Sequence, residues 1–415
     1  MVDDFNTLET YRDHISVAPI PRIKRLRDRE VSRRVACSLK GFLGSLTRKI
    51  RATVCVTDNT RPFPEKKILP LILDIMEDSG VKRGNITIVV ATGLHRHLTK
   101  DELISKFGRY VFKNYNIIQN DPHESVGIRK KLYVNRALCE SDFIVGLGVF
   151  EPHQYAGFSG GNKIFIIGCG GRQTIDYTHS PKMILRRGVR LGNTTNNPFR
   201  NFIENSANYL PPRWILNVVL NDDGDIICFS SGEPSEVFNS LYEWYKENLV
   251  FSFKERFDAA FVVLDRHKGV NLYQASRGAT YLALSRSPII KKGSPIIISA
   301  KLEEGFGTGD GEKEFQRILL SNIRNSELLE RLKREDIRGG GQRAVMLLYT
   351  LLNHPVIFTG FKRDIKFQRE NIYFIPVISD AVRKVISDFG CRKIVYVKNP
   401  FLGLFCFSEG KKGEN

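Results

Sequence analysis

The sequence predicts an α/β protein built as two α/β domains with an active-site cleft between them. Three observations carry this. Short apolar, β-branched runs alternate with segments of helical periodicity, as parallel α/β units do. Several of these runs stop in loops rich in Gly, Asp or His, the position where open α/β sheets hold ligands. And 415 residues exceed what one core usually organises. The division is expected near residue 255, giving an N-terminal domain over residues 1–255 and a C-terminal domain over 256–415.

The elements follow in order. Residues 1–50 read as a lead-in with one basic helix over 30–44. A β-branched strand over 51–56 runs into Asp58. Residues 67–78 have helical periodicity and stop at Ser79-Gly80, a C-cap signal. An apolar strand over 85–91 is broken by Thr92-Gly93, and Thr99 with Glu102 forms a capping box that opens the next helix. Residues 141–149 form a strand, then 214–220 another, closed by the turn Asn221-Asp222-Asp223-Gly224. Residues 241–249 are helical and 251–257 link the domains. Beyond the link, strands over 258–264, 294–300, 355–360, 371–376 and 393–397 are separated by helices from Tyr273 onward and over 311–322, 326–334 and 380–389. No internal repeat is visible, and the tail 409–415 is polar and expected to be loose.

Composition narrows the class. Hydrophobic residues make up 42% and are spread throughout, as in a folded globular protein. No run approaches eighteen consecutive apolar residues, so no membrane span is expected. Met1-Val2-Asp3-Asp4-Phe5 lacks the basic-then-apolar pattern of a secretory signal. Seven scattered cysteines without a Cys-x-x-Cys give neither a disulfide framework nor a cysteine zinc site. The expected location is the cytoplasm. Net charge is +18, with basic runs at Arg22-Ile23-Lys24-Arg25-Leu26-Arg27, Arg33-Arg34 and Arg186-Arg187. Aromatic residues are not interleaved with these runs, as a single-strand platform requires, and no DNA- or RNA-binding signature accompanies them. The charge reads as a solvated basic surface that also draws in anions, and a nucleic-acid partner is not expected.

The chemistry gathers in strand-end loops. The glycine-rich loop Gly157-Phe158-Ser159-Gly160-Gly161-Asn162 ends in Lys163, and His179 follows sixteen residues later. His153, in Glu151-Pro152-His153, precedes Lys163 by ten residues. Upstream lie His95 in Thr92-Gly93-Leu94-His95-Arg96 and the Asp58/Arg61 pair in Asp58-Asn59-Thr60-Arg61-Pro62. The glycine loop is not a phosphate loop of the Walker type, because Ile164 stands where that motif has Ser or Thr. Glycines there permit close backbone approach to a bound group, and a held Lys amine can bond covalently to a cofactor. Imidazole titrates near working pH and suits acid and base roles. The Arg guanidinium forks onto carboxylates. His14, His97, His123, His267 and His354 match no motif and read as ordinary.

These five segments, in this order, resemble the signatures of the lactate racemase family: Asp-x-x-Arg-Pro, Thr-Gly-x-His-Arg, Glu-Pro-His, a glycine-rich loop ending in Lys, and one downstream His. A looser sixth match is Tyr273-Gln274-Ala275-Ser276-Arg277-Gly278, so the resemblance runs from about residue 58 to 278. It implies a covalently held nickel-pincer nucleotide, a pyridinium-3-thioamide-5-thiocarboxylic acid mononucleotide joined to Lys163. Asp58, Gly160 and Gly161 would bind that cofactor, and His179 would supply the protein's ligand to nickel. His95 and His153 would be the catalytic acid–base pair, approaching a 2-hydroxy acid from two sides while hydride leaves C2 for the pyridinium and returns to the opposite face. Arg61, Gln274 and Arg277 would bind substrate, so the first and sixth motifs place substrate-side residues in both domains. The implied protein partners are the enzymes that synthesise the cofactor. Two departures stand out: Arg277 replaces the family's lysine, and no second-domain tryptophan is present, since Trp214 and Trp244 lie in the first domain. Two other readings are kept: a relative that binds a cofactor or nucleotide without racemising, and a basic nucleic-acid-binding protein.

Overall fold

A computed structural model describes residues 8–19, 23–47 and 50–408. Arg22 of the first basic run and the tail 409–415 lie outside the described residues.

Two six-stranded sheets form the frame. The first runs in the spatial order Ile226–Gly232, Arg213–Leu220, Phe143–Val149, Ala52–Thr57, Ile86–Ala91, Asn116–Gln119, parallel except at the Ile226–Gly232 edge. Its strands alternate faces with period two. Val54, Val56, Ile88, Val90, Val145 and Leu147 pack under the Asp28–Ser45 and Glu65–Asp78 helices, joined by Val35, Leu39, Ile72 and Leu73. On the opposite face Cys55, Val89, Ile144 and Ile215 meet Phe165, Ile166, Phe199 and Ile203. Both faces are covered, which is why these strands read as unbroken apolar runs.

The second sheet is parallel throughout, in the order Ile15–Val17, Ile394–Lys398, Ala259–Val263, Ile296–Ser299, Val356–Thr359, Ile372–Phe374. The chain crosses from one sheet to the other between residues 249 and 258. Two details differ from the sequence reading. Ile15–Val17 pairs with Ile394–Lys398, so part of the lead-in belongs to the second sheet. The link expected over 251–257 contains a strand, Val250–Phe253, paired in parallel with Leu404–Phe407, so the chain end straps the crossing.

Local signals explain most element ends. Thr99 caps Lys100–Phe107 in a capping box with Glu102. Gly80, at φ +97°, ends Glu65–Asp78. The last helix of the first domain begins earlier than expected, at Pro234, because the Glu233 carboxylate accepts from the amides of Ser235 and Glu236. Among the described residues no helix is long and apolar enough to cross a membrane, and all seven cysteines are free. Arg186 and Arg187 of the third basic run are exposed.

Each sheet has a switch point where the direction of strand addition reverses. In the first sheet it lies between Ala52–Thr57 and Phe143–Val149, and in the second between Ala259–Val263 and Ile394–Lys398. Ligands of open α/β sheets bind outside the carboxyl ends of strands at such a point. Here the two crevices meet: Lys268, beyond Ala259–Val263, donates to Thr60 O at 2.8 Å and lies 3.4 Å from Glu151 Oε1.

Candidate active site

Thr57 turns the first central strand into the Asp58–Pro62 loop, its hydroxyl lying 3.0 Å from Arg61 O and 2.9 Å from the buried Glu65 carboxylate. Asp58 is 4% exposed. Its Oδ1 accepts from Thr60 N at 3.1 Å and Thr60 Oγ1 at 2.8 Å, and its Oδ2 lies 2.6 Å from His95 Nδ1. Burial opposes ionisation of Asp58, but His95, Thr60 and Arg61 outweigh it and hold the carboxyl below its usual range. An ionised Asp58 can only accept, so His95 Nδ1 donates and the Nε2 edge is left facing the cleft. There it meets Gln274 Nε2 at 3.5 Å, across from the second domain. A cavity of about 390 Å³ opens from Asp58 and His95 toward Asn271 and Glu304.

His153 lies just beyond the second central strand, Phe143–Val149, in the short hairpin strand Pro152–His153. It is 8% exposed, and its Nδ1 accepts from the amides of Tyr155 (3.3 Å) and Ala156 (3.2 Å). Burial, with Lys163, Arg61, Arg277 and His179 nearby, depresses its pKa well below the ordinary value. The neutral ring therefore carries its proton on Nε2. His95 and His153 thus present the same Nε2 edge with opposite hydrogen-bonding character, a lone pair and an N–H. The sequence reading had treated them as equals.

The glycine loop is a tight hairpin, with Pro152–His153 paired to Gly157–Phe158. Gly160 sits at φ +84°, and a Cβ there would come within 2.7 Å of Asn217 Oδ1. That oxygen instead accepts from Gly161 N at 2.8 Å. Arg200 clasps the loop from outside, donating to Ala156 O at 3.2 Å and to Phe158 O, and pairing with Glu204 at 2.9 Å. Lys163 opens a π-helical turn, Ile164–Gly168, a local geometry frequent at functional sites. Lys163, Asp58, Arg61 and Gly160 line one small cavity of about 80 Å³. Burial, followed by Arg61, Arg200 and Arg277, pushes the Lys163 pKa well down, toward the neutral, nucleophilic amine.

His179 caps the Arg172–Thr178 helix. Its Nδ1 lies 3.1 Å from Ile175 O and 3.0 Å from Thr178 Oγ1, which places the proton on Nδ1 and leaves Nε2 free to ligate. Burial and then Lys163 lower its pKa to about 3, keeping it neutral as a ligand must be. Among the described residues no three His, Cys, Asp or Glu side chains converge as a metal site, so a metal here needs donors from a bound cofactor. Four buried polar atoms near these groups have no partner: Gln154 Nε2, Tyr155 Oη, and Arg343 Nε and Nη1. Such orphans are rare and mark a place made for a polar guest. The residues present therefore fit the cofactor that the resemblance implies.

Arg61 and Arg277 are placed differently from the sequence expectation of free carboxylate binders. Glu151 Oε1 lies 3.2 Å from Arg61 Nε, 3.4 Å from Lys268 Nζ and 4.0 Å from Arg277 Nη2. Burial opposes ionisation of Glu151, and these three cations reverse that and lower its pKa. Arg277 also donates to Tyr281 Oη at 2.7 Å and Gln274 Oε1 at 3.4 Å. Lys268 is 1% exposed, and burial pushes its pKa down to about 7. Lys268, Arg200, Asn217 and Arg343 are site residues that the sequence does not single out, since none carries a local signal. His267 was read as ordinary, yet it lines the outer cavity. His97 bonds Asn120 O at 3.1 Å and His354 bonds Ser294 O at 2.8 Å, both structural. Trp214 is buried under the Asp28–Ser45 helix and bonds Ser38 Oγ at 3.0 Å, so it takes no part in the cleft.

Comparison with known proteins finds the following likenesses. Residues 34–192 match the lactate racemase N-terminal domain. The lactate racemase of Thermoanaerobacterium thermosaccharolyticum is 28% identical over 337 residues, covering 78% of this chain and 76% of that protein. The lactate racemase of Lactiplantibacillus plantarum is 30% identical over 278 residues, covering 63% and 62%. Among solved structures, the T. thermosaccharolyticum lactate racemase apoprotein superposes with a TM-score of 0.77 at 23% identity, over 95% of both chains. A Thermotoga maritima protein superposes with a TM-score of 0.68 at 17% identity, over 91% of this chain and 98% of that one. These two likenesses speak to the fold.

Proposed function

We propose that this chain, a relative of the lactate racemases by its N-terminal domain and over most of its length, is a cytoplasmic isomerase that racemises or epimerises a 2-hydroxy acid. Its cofactor is a nickel-pincer nucleotide, attached through Lys163 and completed at the metal by His179 Nε2. The cofactor is delivered by synthesis enzymes. The observation that carries this reading is the gathering of Lys163, His179, His95 and His153, from three separate loops, beside buried, unpartnered donors.

When bound at Lys163 and His179, that cofactor would supply hydride-transfer chemistry toward C2 of the substrate. The protein's own residues do the rest. Asp58 fixes the His95 tautomer so that Nε2 takes the substrate's hydroxyl proton. His153 offers its Nε2–H to the same oxygen from the other side, held there by the Tyr155 and Ala156 amides. Gln274 supports His95 from the second domain. Glu151 gathers Arg61, Lys268 and Arg277, tying the two domains together around the cleft. Closure of that kind keeps water from the reacting carbon.

The test uses protein produced together with cofactor-synthesis enzymes. Intact mass should show an adduct on Lys163, nickel should be near one per chain, and D- or L-lactate or another 2-hydroxy acid should lose its optical purity. An adduct with nickel but no inversion of any 2-hydroxy acid would favour the cofactor-binding reading instead. A steep salt dependence of nucleic-acid binding would favour the basic-surface reading.

A further inference from the structure

The Gly341–Leu351 helix of the second domain carries a cation that no motif assigns. Arg343 Cζ lies 4.4 Å over the Tyr273 ring, and Tyr273 stands edge-on to His95 at 6.3 Å. On its other side the charge of Arg343 acts on Tyr155 and His179. Tyr155 is edge-on to His153 at 5.8 Å and to His179 at 5.7 Å. Arg343 is therefore bracketed by two tyrosines, each of which flanks one of the proposed acid–base histidines.

Its Nε and Nη1 are buried with no hydrogen-bond partner, as are Tyr155 Oη and Gln154 Nε2. All four can donate. Buried guanidinium N–H groups are ordinarily paired; Arg343, half-buried as a residue, leaves two such groups free, and the acceptor that satisfies them best is an anionic oxygen group. Arg277 is in the opposite condition. It is 2% exposed, its donors go to Tyr281 and Gln274, and its counter-charge is Glu151. It also stacks over Phe401 at 4.6 Å. An arginine so occupied would have to abandon protein partners to take a substrate.

Resting on the racemase reading, we propose that Arg343, with Tyr155 and Gln154, binds the carboxylate of the 2-hydroxy acid, and that Arg277 is a positioning residue that braces Gln274 and Glu151. A carboxylate on Arg343 would sit beside Tyr273, the ring that flanks His95, on the side of the cleft where proton transfer is proposed. The replacement of the family's lysine by Arg277 then costs the chain no substrate contact.

Cofactor-loaded protein is titrated by calorimetry with L-lactate, D-lactate and, as a separate arm, nicotinate mononucleotide on protein without cofactor. Variants are Arg343→Met and Arg343→Lys, with thermal unfolding as the control for folding. Arg343→Met should weaken both lactate enantiomers about tenfold or more, the scale of losing one charge-assisted contact. KM should rise more than kcat falls, and the Lys163 adduct and mononucleotide affinity should be unchanged. Arg343→Lys should recover part of the affinity, since it returns the charge without the planar fork, and it decides the matter if the Met variant does not fold. Lactate affinity within twofold of wild type in both variants overturns the proposal. So does a loss confined to the mononucleotide arm, which assigns the pocket to the cofactor's phosphate. Wild-type protein that binds lactate without inverting it sinks the racemase reading alone, with this inference still judged by the affinities; wild-type protein that binds no 2-hydroxy acid sinks both.

Discussion

Replacing Asp58 by Asn removes a charge while keeping the shape of the side chain, and so isolates what Asp58 does for His95. Oδ1 is committed to Thr60 N and Oγ1, so the new amide nitrogen takes the place of Oδ2, 2.6 Å from His95 Nδ1. An NH₂ group donates, so Nδ1 must accept and the ring proton moves to Nε2. The lone pair facing the cleft is lost. The same exchange in the serine-protease triad lowers turnover about 10⁴-fold through the wrong tautomer, while removal of a general base usually costs about 10²–10⁴-fold. We expect a fall in kcat of about 10²–10⁴-fold with KM changed little, because the ring stays in place. Stability should also respond. A charge-assisted hydrogen bond contributes roughly 1.5–3 kcal/mol, and each kcal/mol moves Tm by about 2–4 °C for a unit of this size. The pH dependence has a definite sign. The folded pKa of Asp58 is depressed, so its contribution is full above the unfolded value of about 3.9 and is lost as pH falls through the lower folded value. Between roughly pH 4 and pH 2, wild type should lose stability that the Asn variant never had, and the two Tm curves should converge. The assays are steady-state inversion of both enantiomers, histidine ¹⁵N shifts to read the tautomer, and Tm against pH. Turnover above about a tenth of wild type, or a His95 that keeps its proton on Nδ1, would refute the argument.

Lys163→Ala should abolish the covalent adduct, read by intact mass, with folding retained; the added mass appearing on another residue would show that the tether lies elsewhere. His179→Ala should lower nickel content, measured by elemental analysis, while the Lys163 adduct still forms, because tether and ligand are separate groups; full nickel occupancy would remove His179 from the metal. Gly160→Ala should destabilise the loop by about 1–3 kcal/mol, since its φ is +84° and its new Cβ would stand 2.7 Å from Asn217 Oδ1; an unchanged Tm would show that the loop relaxes freely. His95→Ala and His153→Ala should each cost about 10²-fold or more in inversion, and rapid-mixing spectra of the pyridinium chromophore with single enantiomers should show unequal effects, as the unequal proton placement on the two rings requires. Identical loss with both enantiomers in both variants would favour one shared proton relay.

What was legible in the sequence follows physical lines. The strands over 51–56, 85–91 and 141–149 were visible because both faces are buried and the runs are continuous; they appear as Ala52–Thr57, Ile86–Ala91 and Phe143–Val149. The Thr99 capping box was visible because the signal is local. The Gly341–Leu351 helix was missed because it opens in three consecutive glycines, which propensity argues against, and it forms because Val345, Leu347 and Leu348 are buried in the second core. Val250–Phe253 was read as a linker because its partner strand lies about 150 residues away. In the site, His, Lys and Gly could be picked out by type and spacing. Lys268 and Arg343 could not, because a cation on an amphipathic segment looks like a solvated one until the opposite domain covers it. Arg277 was chosen for the right neighbourhood, but its partners Tyr281 and Glu151 are set by tertiary packing.

The placement of charge ties these observations together. Around the two facing switch points, Arg200, Lys268 and Arg277 are buried, and Arg61 and Lys163 half-buried, near three carboxylates, Asp58, Glu151 and Glu204, each already engaged. Burying charge without a partner is expensive, so this excess of cations must be relieved in one of two ways. One is loss of protons: Lys163, His153 and His179 are all pushed toward their neutral forms, the forms needed for a nucleophilic amine, a directed N–H donor and a metal ligand. The other is uptake of anions, and a carboxylate substrate and a phosphate-bearing cofactor each bring negative charge. On the proposed reading, the same excess would prepare the Lys163 amine before a cofactor arrives and attract the groups that neutralise it. A site arranged this way should be least stable when empty, and anion binding should raise its Tm by the amount that mass action sets for a ligand bound to the folded state alone.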